Sequence, residues 1–126
     1  MPLLETLESF CYKPNLISKG TILLREGEKT SVTYVLISGE LQVTTGDVEI
    51  GVFQNPGDTF GEMAALMEDV TSASVEAVTD CQVYKIQDLK TFLIKNPKEA
   101  VELLQASYTR LKQMNKGVNL MLQMIP

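Results

Sequence analysis

Between Leu16 and Ile86 the chain is a series of short apolar or alternating runs, each closed by residues that favour a reversal. The runs are Leu16-Ile17, Thr21-Ile22-Leu23-Leu24, Thr33 to Ser38, Leu41 to Thr45, Val48 to Phe53, Ser72 to Val78 and Cys81 to Ile86. Between them lie Lys19-Gly20, Arg25-Glu26-Gly27-Glu28-Lys29, Gly39-Glu40, Gly46-Asp47, Asn55-Pro56-Gly57-Asp58 and Thr79-Asp80. Glycine supplies positive φ, and Asn or Asp bonds its own backbone, so these clusters read as turns. Seven or eight short strands spaced this way predict a sandwich or barrel.

The flanks change period. Leu3, Leu4, Leu7, Phe10 and Cys11 have helical spacing over residues 2–11, with Pro2 in the first turn and Pro14 beyond the end. From Asp88, an N-cap residue, Leu89, Phe92 and Leu93 again follow a helical pattern. Asn96-Pro97 interrupts it and starts a final helix that runs to about Gln123. A chain of 126 residues is one domain by size. The expected division is a β-domain over about 16–87 and C-terminal helices over about 88–124 within that single domain, 1–126.

One stretch stands apart, Asp58-Thr59-Phe60-Gly61-Glu62-Met63-Ala64-Ala65-Leu66, followed by Thr71-Ser72-Ala73-Ser74-Val75. A glycine turn opening a one-turn helix leaves backbone N–H groups without intrahelical partners, and such groups hold anions. Glu62 at that turn can only accept hydrogen bonds, so it suits sugar hydroxyls and repels phosphate. The alternative is a carboxylate placed there by the helix dipole. Met63, Met67, Met114, Met121 and Met124 read as core filler, with an adaptable pocket wall as the other reading.

The last helix carries a second pattern. Val101, Leu104, Tyr108, Leu111, Asn115, Val118 and Leu122 are spaced 3, 4, 3, 4, 3 and 4, an a/d seam. Asn115 is its one polar member, and a buried Asn at an a position sets a parallel two-stranded register. The seam predicts a homodimer through this helix, against a helix packed only on its own domain.

Composition narrows the function. The net charge of −5 lacks the basic face that nucleic acid or an anionic membrane requires. No run approaches the ~20 apolar residues of a membrane span, and the N-terminus has no basic signal region. Cys11 and Cys81 show no metal spacing, which reads as two buried thiols in the cytoplasm. There is no histidine, nor a P-loop or a carboxylate pair at metal spacing, so neither catalysis nor a metal is expected.

Three ordered motifs resemble the cyclic-nucleotide-binding domain family, and the likeness covers nearly the whole chain. Lys19-Gly20-Thr21-Ile22-Leu23-Leu24-Arg25-Glu26-Gly27-Glu28 is similar to its second and third strands. Tyr34-Val35-Leu36-Ile37-Ser38-Gly39-Glu40-Leu41 is similar to its next hairpin, and Gly57-Asp58-Thr59-Phe60-Gly61-Glu62-Met63-Ala64 to its phosphate-binding cassette. The resemblance implies a mainly β fold: an eight-stranded antiparallel β-roll of the jelly-roll kind, a short N-terminal helix, then a short and a long helix. It implies a cyclic nucleotide, cAMP or cGMP, as ligand. Glu62 would accept from the ribose 2′-hydroxyl, and the amides from about Gly61 to Ala64, beside Phe60 and Met63, would face the phosphate.

The resemblance also shows a departure. An arginine nine positions after the cassette glutamate normally pairs with the phosphate, and Thr71 stands there. Ser72, beside Ala73, is of the type that donates a hydroxyl to it, and Met114 and Asn115 occupy the region that reaches the base across a dimer. The only arginines are Arg25 and Arg110, and Lys85, the next cation downstream, is expected to face solvent. Two functions stay open: a ligand sensor that signals through a dimer, or a degenerate shell kept for dimerisation or protein interaction. The chain stops where receptor-type transcription factors continue into a DNA-binding element, as a stand-alone regulatory domain or a fragment would.

Overall fold

The computed structural model describes the backbone of residues 2–123 and the side chains of 3–109 and Lys112. The elements are α1 (Pro2–Ser9), β1 (Asn15–Ile17), β2 (Ile22–Leu24), β3 (Thr33–Ser38), β4 (Leu41–Thr45), β5 (Val48–Phe53), β6 (Thr59–Phe60), α2 (Glu62–Met67), β7 (Ser74–Ala77), β8 (Cys81–Ile86), α3 (Leu89–Lys95) and α4 (Pro97–Gln123). Two compact units result, one through Phe92 and one from Leu93 on, and the division falls inside α3.

In the first unit eight strands form two antiparallel four-stranded sheets, β1-β8-β3-β6 and β2-β7-β4-β5. The expected β-roll is therefore present. Strand alternation puts one face of each sheet inward. Leu36, Phe60, Cys81 and Val83 from the first sheet meet Leu24, Leu41, Val75 and Ala77 from the second in one buried cluster. Leu36 and Leu41 are fully buried, so truncating either to Ala costs ~2–5 kcal/mol. Gly39 closes the β3–β4 hairpin at φ +103, where a Cβ would stand 2.6 Å from the Cys81 Sγ and 2.7 Å from the Asp80 carbonyl.

Tyr34, Phe60 and Phe53 make a stack inside the roll. Phe60 lies between the other two, with ring centroids 5.1 Å from Tyr34 and 5.3 Å from Phe53 and planes within 19° of parallel. Burial raises the Tyr34 phenol above its ordinary value, because the phenolate loses water.

The outer face of the first sheet holds a second apolar layer. Val35, Tyr84 and Ile86 are buried there, as are Leu3 and Leu7 of α1 and Leu89 and Phe92 of α3. Tyr12 packs edge-on to Tyr84 and Phe92, and Phe10 edge-on to Phe92. Asp88 caps α3 as its sequence position predicts: its carboxylate accepts from the Thr91 N–H at 3.2 Å and the Thr91 hydroxyl at 2.7 Å.

In the second unit α4 runs for 27 residues, ~40 Å at 1.5 Å per residue. Of the predicted seam, Val101, Leu104 and Tyr108 are 53%, 71% and 64% exposed in the single chain. Leu111, Asn115, Val118 and Leu122 lie outside the described side chains, as do Arg110, Met114, Met121 and Met124.

Candidate functional site

The cassette is built on one glycine. β6 ends at Phe60, and Gly61 turns the chain with φ +84 into the first turn of α2. An L-residue at that φ is strained. A Cβ there would also lie 2.9 Å from the Val32 carbonyl oxygen and 3.5 Å from a Leu24 methyl. The close approach to Val32 joins the cassette to the entry of β3. The Ala65 N–H returns to the Gly61 carbonyl at 3.1 Å, and α2 closes on Glu68 at φ +53 with the Asp69 N–H on the Ala64 carbonyl.

The side chains of the cassette divide sharply. Glu62 is 5% exposed and Ala64 is buried, so the carboxylate turns toward the protein. Met63 and Met67, four residues apart on one helix face, are 62% and 68% exposed. That corrects the reading of these two methionines as core filler, since α2 buries the other face. The Phe60 ring is committed to the aromatic stack, so this residue offers a ligand only its backbone.

Thr71 is 6% exposed and held on three sides. Its N–H donates to the Glu28 carbonyl at 2.9 Å, and its carbonyl accepts from the Gly27 N–H at 2.8 Å. Its hydroxyl donates to the carbonyl of Arg25. In this geometry the hydroxyl proton is spent inside the protein. Ser72 is exposed, and its carbonyl accepts from the Thr45 hydroxyl at 3.4 Å. Ala73 is half-buried, and Ser74 accepts from the Glu26 N–H at 2.9 Å. The Glu26 carboxylate in turn takes the Gly46 N–H at 2.8 Å. Residues 25–28, 45–46 and 71–74 thus form one tied rim at the end of the second sheet.

The structure brings Gly61, Glu62 and Ala64 together at the start of α2 and ties Thr71 to the exit of β2, where Leu24 underlies Gly61. Asn115 lies outside the described side chains. Lys85 departs from expectation: its register opposite Tyr34 puts it on the inward face with Val83, and it is half-buried. Arg25 is exposed, and nothing in the sequence spacing connected it with Thr71, 46 residues away. A separate groove of about 650 Å³ lies by the other end of α2, lined by Lys29, Ala65, Glu68, Asp88 and Lys90 among others. Two of its lining residues, Lys90 and Glu68, form an ion pair at 3.1 Å. None of the ligand residues named from sequence lines that groove. Among the described residues no three His, Cys, Asp or Glu side chains gather as a metal site, and no helix is long and apolar enough to cross a membrane.

This arrangement can do two things chemically. A buried carboxylate accepts hydrogen bonds from hydroxyls, and the backbone N–H groups of a helix's first turn, as at the start of α2, are donors that an anion can take. Comparison with known proteins points the same way. A family model described as the cyclic nucleotide-binding domain matches residues 15–93, from β1 into α3. The cyclic nucleotide-gated potassium channel of Rhizobium etli is 32% identical over 76 residues, which are 59% of this chain and 20% of the channel. The cAMP-activated global transcriptional regulator of Salmonella typhimurium is 36% identical over 90 residues, 68% of this chain and 42% of the regulator. The chain therefore spans less than half the length of either relative. Among solved structures, the catabolite activator protein of Thermus thermophilus superposes with a TM-score of 0.78 at 24% identity, covering 96% of this chain and 60% of that one. With both sheets and the cassette inside the matched residues, the chain belongs to the cyclic nucleotide-binding domain family.

Proposed function

We propose that this chain is a regulatory domain that takes a cyclic nucleotide, cAMP or cGMP, weakly at the cassette. It passes the occupancy on through a homodimer of α4. The observation that carries the reading is the cassette itself: Gly61 at φ +84 against Val32, leading to the buried Glu62. Glu62 accepts from the ribose hydroxyl, and the Gly61 to Ala64 amides face the phosphate. Ser72 and Ala73 border it, and Thr71 offers only lone pairs. A buried charge-assisted contact is worth ~2–5 kcal/mol, so the threonine leaves affinity ~30- to 3000-fold below that of a site with an arginine.

The exposed Val101, Leu104 and Tyr108 support the dimer, with Asn115 setting its register and reaching the base. Ligand shifts the equilibrium between two arrangements of the dimer. The chain does no catalysis and touches neither nucleic acid nor membrane, consistent with its net charge of −5. Cys81 is buried as expected, Cys11 is exposed against expectation, and two free thiols fit the cytoplasm.

A second reading has its own observation. The Thr71 hydroxyl is committed to Arg25 and the Phe60 ring to the core, which suits a shell kept for dimerisation without nucleotide. Calorimetry with cAMP and cGMP separates the two. Weak saturable heat, with a dissociation constant above the low-micromolar range, supports the sensor. No heat at millimolar nucleotide supports the dimerisation module, and low-micromolar binding refutes the weakness assigned to Thr71.

A further inference from the structure

We propose that the outer edge of β5 is a docking site for an extended segment of another protein. That segment alternates β-branched apolar residues with Lys or Arg and adds to the second sheet as a fifth strand. The site stands apart from the cassette. β5 ends its sheet, and among the described residues no strand but β4 pairs with it. An unpaired edge presents a row of N–H and C=O groups that a further strand can take. The other three edges are short: β1 and β2 have three residues and β6 two, against six in β5. β5 also lacks the Lys and Pro residues that commonly blunt an edge. Val48, Ile50 and Val52 are all exposed along it. Ile22, Glu76, Gln42 and Val52 lie in one cross-strand row, which puts Val52 on the outer face with the exposed Ile22 and Glu76.

Charge selects the occupant. The four strands of the second sheet contain no Lys or Arg, and they carry Glu49 and Glu76, with Asp47 in the β4–β5 turn. Glu26 reaches the same turn, where its carboxylate takes the Gly46 N–H. Among the described residues none of these four carboxylates has an ion-pair partner. A segment with cations at alternate positions pairs with them across the strands. A second copy fits badly. Two β5 strands side by side would gather two Asp47 and two Glu49 with no cation on either, and like charges opposite each other are destabilising. Size gives the same answer. A stable dimer takes about 20–30 residues from each side, and β5 offers six. A single added strand is about five or six residues long. The register shift between Val43 and Thr44 leaves Ile50 as an extra residue on β5, and a strand bends at such a bulge. The segment therefore pairs along Ile50 to Phe53, with its basic residues toward Glu49 and Asp47.

The test is an NMR titration of the full chain with a short peptide of alternating valine and lysine, N-methylated along one edge so that it cannot stack on itself. The same peptide with glutamate for lysine is the control. The expected result is saturable shifts of the residue 48–53 amides with the lysine peptide and none with the glutamate peptide. Binding should weaken about fivefold in the double variant Asp47→Asn with Glu49→Gln, through the loss of cross-strand ion pairs. Val52→Lys puts a like charge on the edge and should abolish binding, while Val52→Thr should change it less than twofold. Because Val52 is exposed, the unliganded amide spectrum reports that each variant remains folded. The assignment is overturned if both peptides bind alike, if neither binds at millimolar concentration, or if the shifts fall on another surface. It is also overturned if the native chain forms a dimer that Val52→Lys makes monomeric, since a second copy then occupies β5.

Discussion

Gly61→Ala should destabilise the protein by ~2–4 kcal/mol, and the structure says how that divides. The first part is backbone strain. Alanine at φ +84 sits in left-handed space, which costs ~1–2 kcal/mol. The second part is the close approach, 2.9 Å from the new Cβ to the Val32 carbonyl oxygen. Because backbone cannot rotate aside as a flexible side chain would, overpacking adds ~1–2 kcal/mol. Gly20 is the natural control. Its φ is +89, but a Cβ there meets nothing within 4 Å, so Gly20→Ala carries the strain alone. The assay is urea unfolding of both variants, compared at equal m-value. Gly61→Ala should be the less stable by ~1–2 kcal/mol, and it should also weaken nucleotide binding because the α2 amides shift with it. Equal stability of the two variants would refute the claim that the cassette is pinned against Val32.

Three further outcomes are expected. Thr71→Val keeps the shape of the buried side chain but removes the donor to the Arg25 carbonyl, so it should cost ~0.5–1.5 kcal/mol in urea unfolding. Tyr34 gives a pH signature: its folded phenol is raised above the unfolded value, so the neutral ring contributes stability that is present below pH ~10 and lost as pH rises through the folded value. The urea midpoint should therefore fall more between pH ~9 and ~11 in the native chain than in Tyr34→Phe. Leu104→Glu places a charge in the exposed α4 seam, and sedimentation at micromolar concentration should find the native chain dimeric and the variant monomeric. A native monomer would remove the α4 seam from the account.

Much of the roll was legible because punctuation and pattern agree. Gly39, Gly46 and Gly57 all take positive φ where the sequence places turns, and the apolar runs between turns became β1 to β5, β7 and β8. β6 was not legible. Thr59-Phe60 is too short to show a period, and it is a strand only because Tyr34 and Val35 pair with it. The same reason hid the face of Lys85, which a five-residue glance at Cys81 to Lys85 leaves open and the register with Tyr34 decides. The cassette was readable from Gly61-Glu62, since a local turn carries its signal in neighbouring residues. Its surroundings were not, because the Thr71 bond to Arg25 joins residues 46 apart that share no local pattern.

The central claim is that the cassette remains a nucleotide site whose affinity is limited by Thr71. The most direct measurement is cAMP titration by calorimetry of the native chain against Thr71→Arg. The substitution gives up the hydroxyl bond to Arg25, ~1 kcal/mol, and adds a charge-assisted contact worth ~2–5 kcal/mol. The account predicts an affinity at least tenfold higher in the variant. An unchanged affinity, or no binding by either protein, would contradict it.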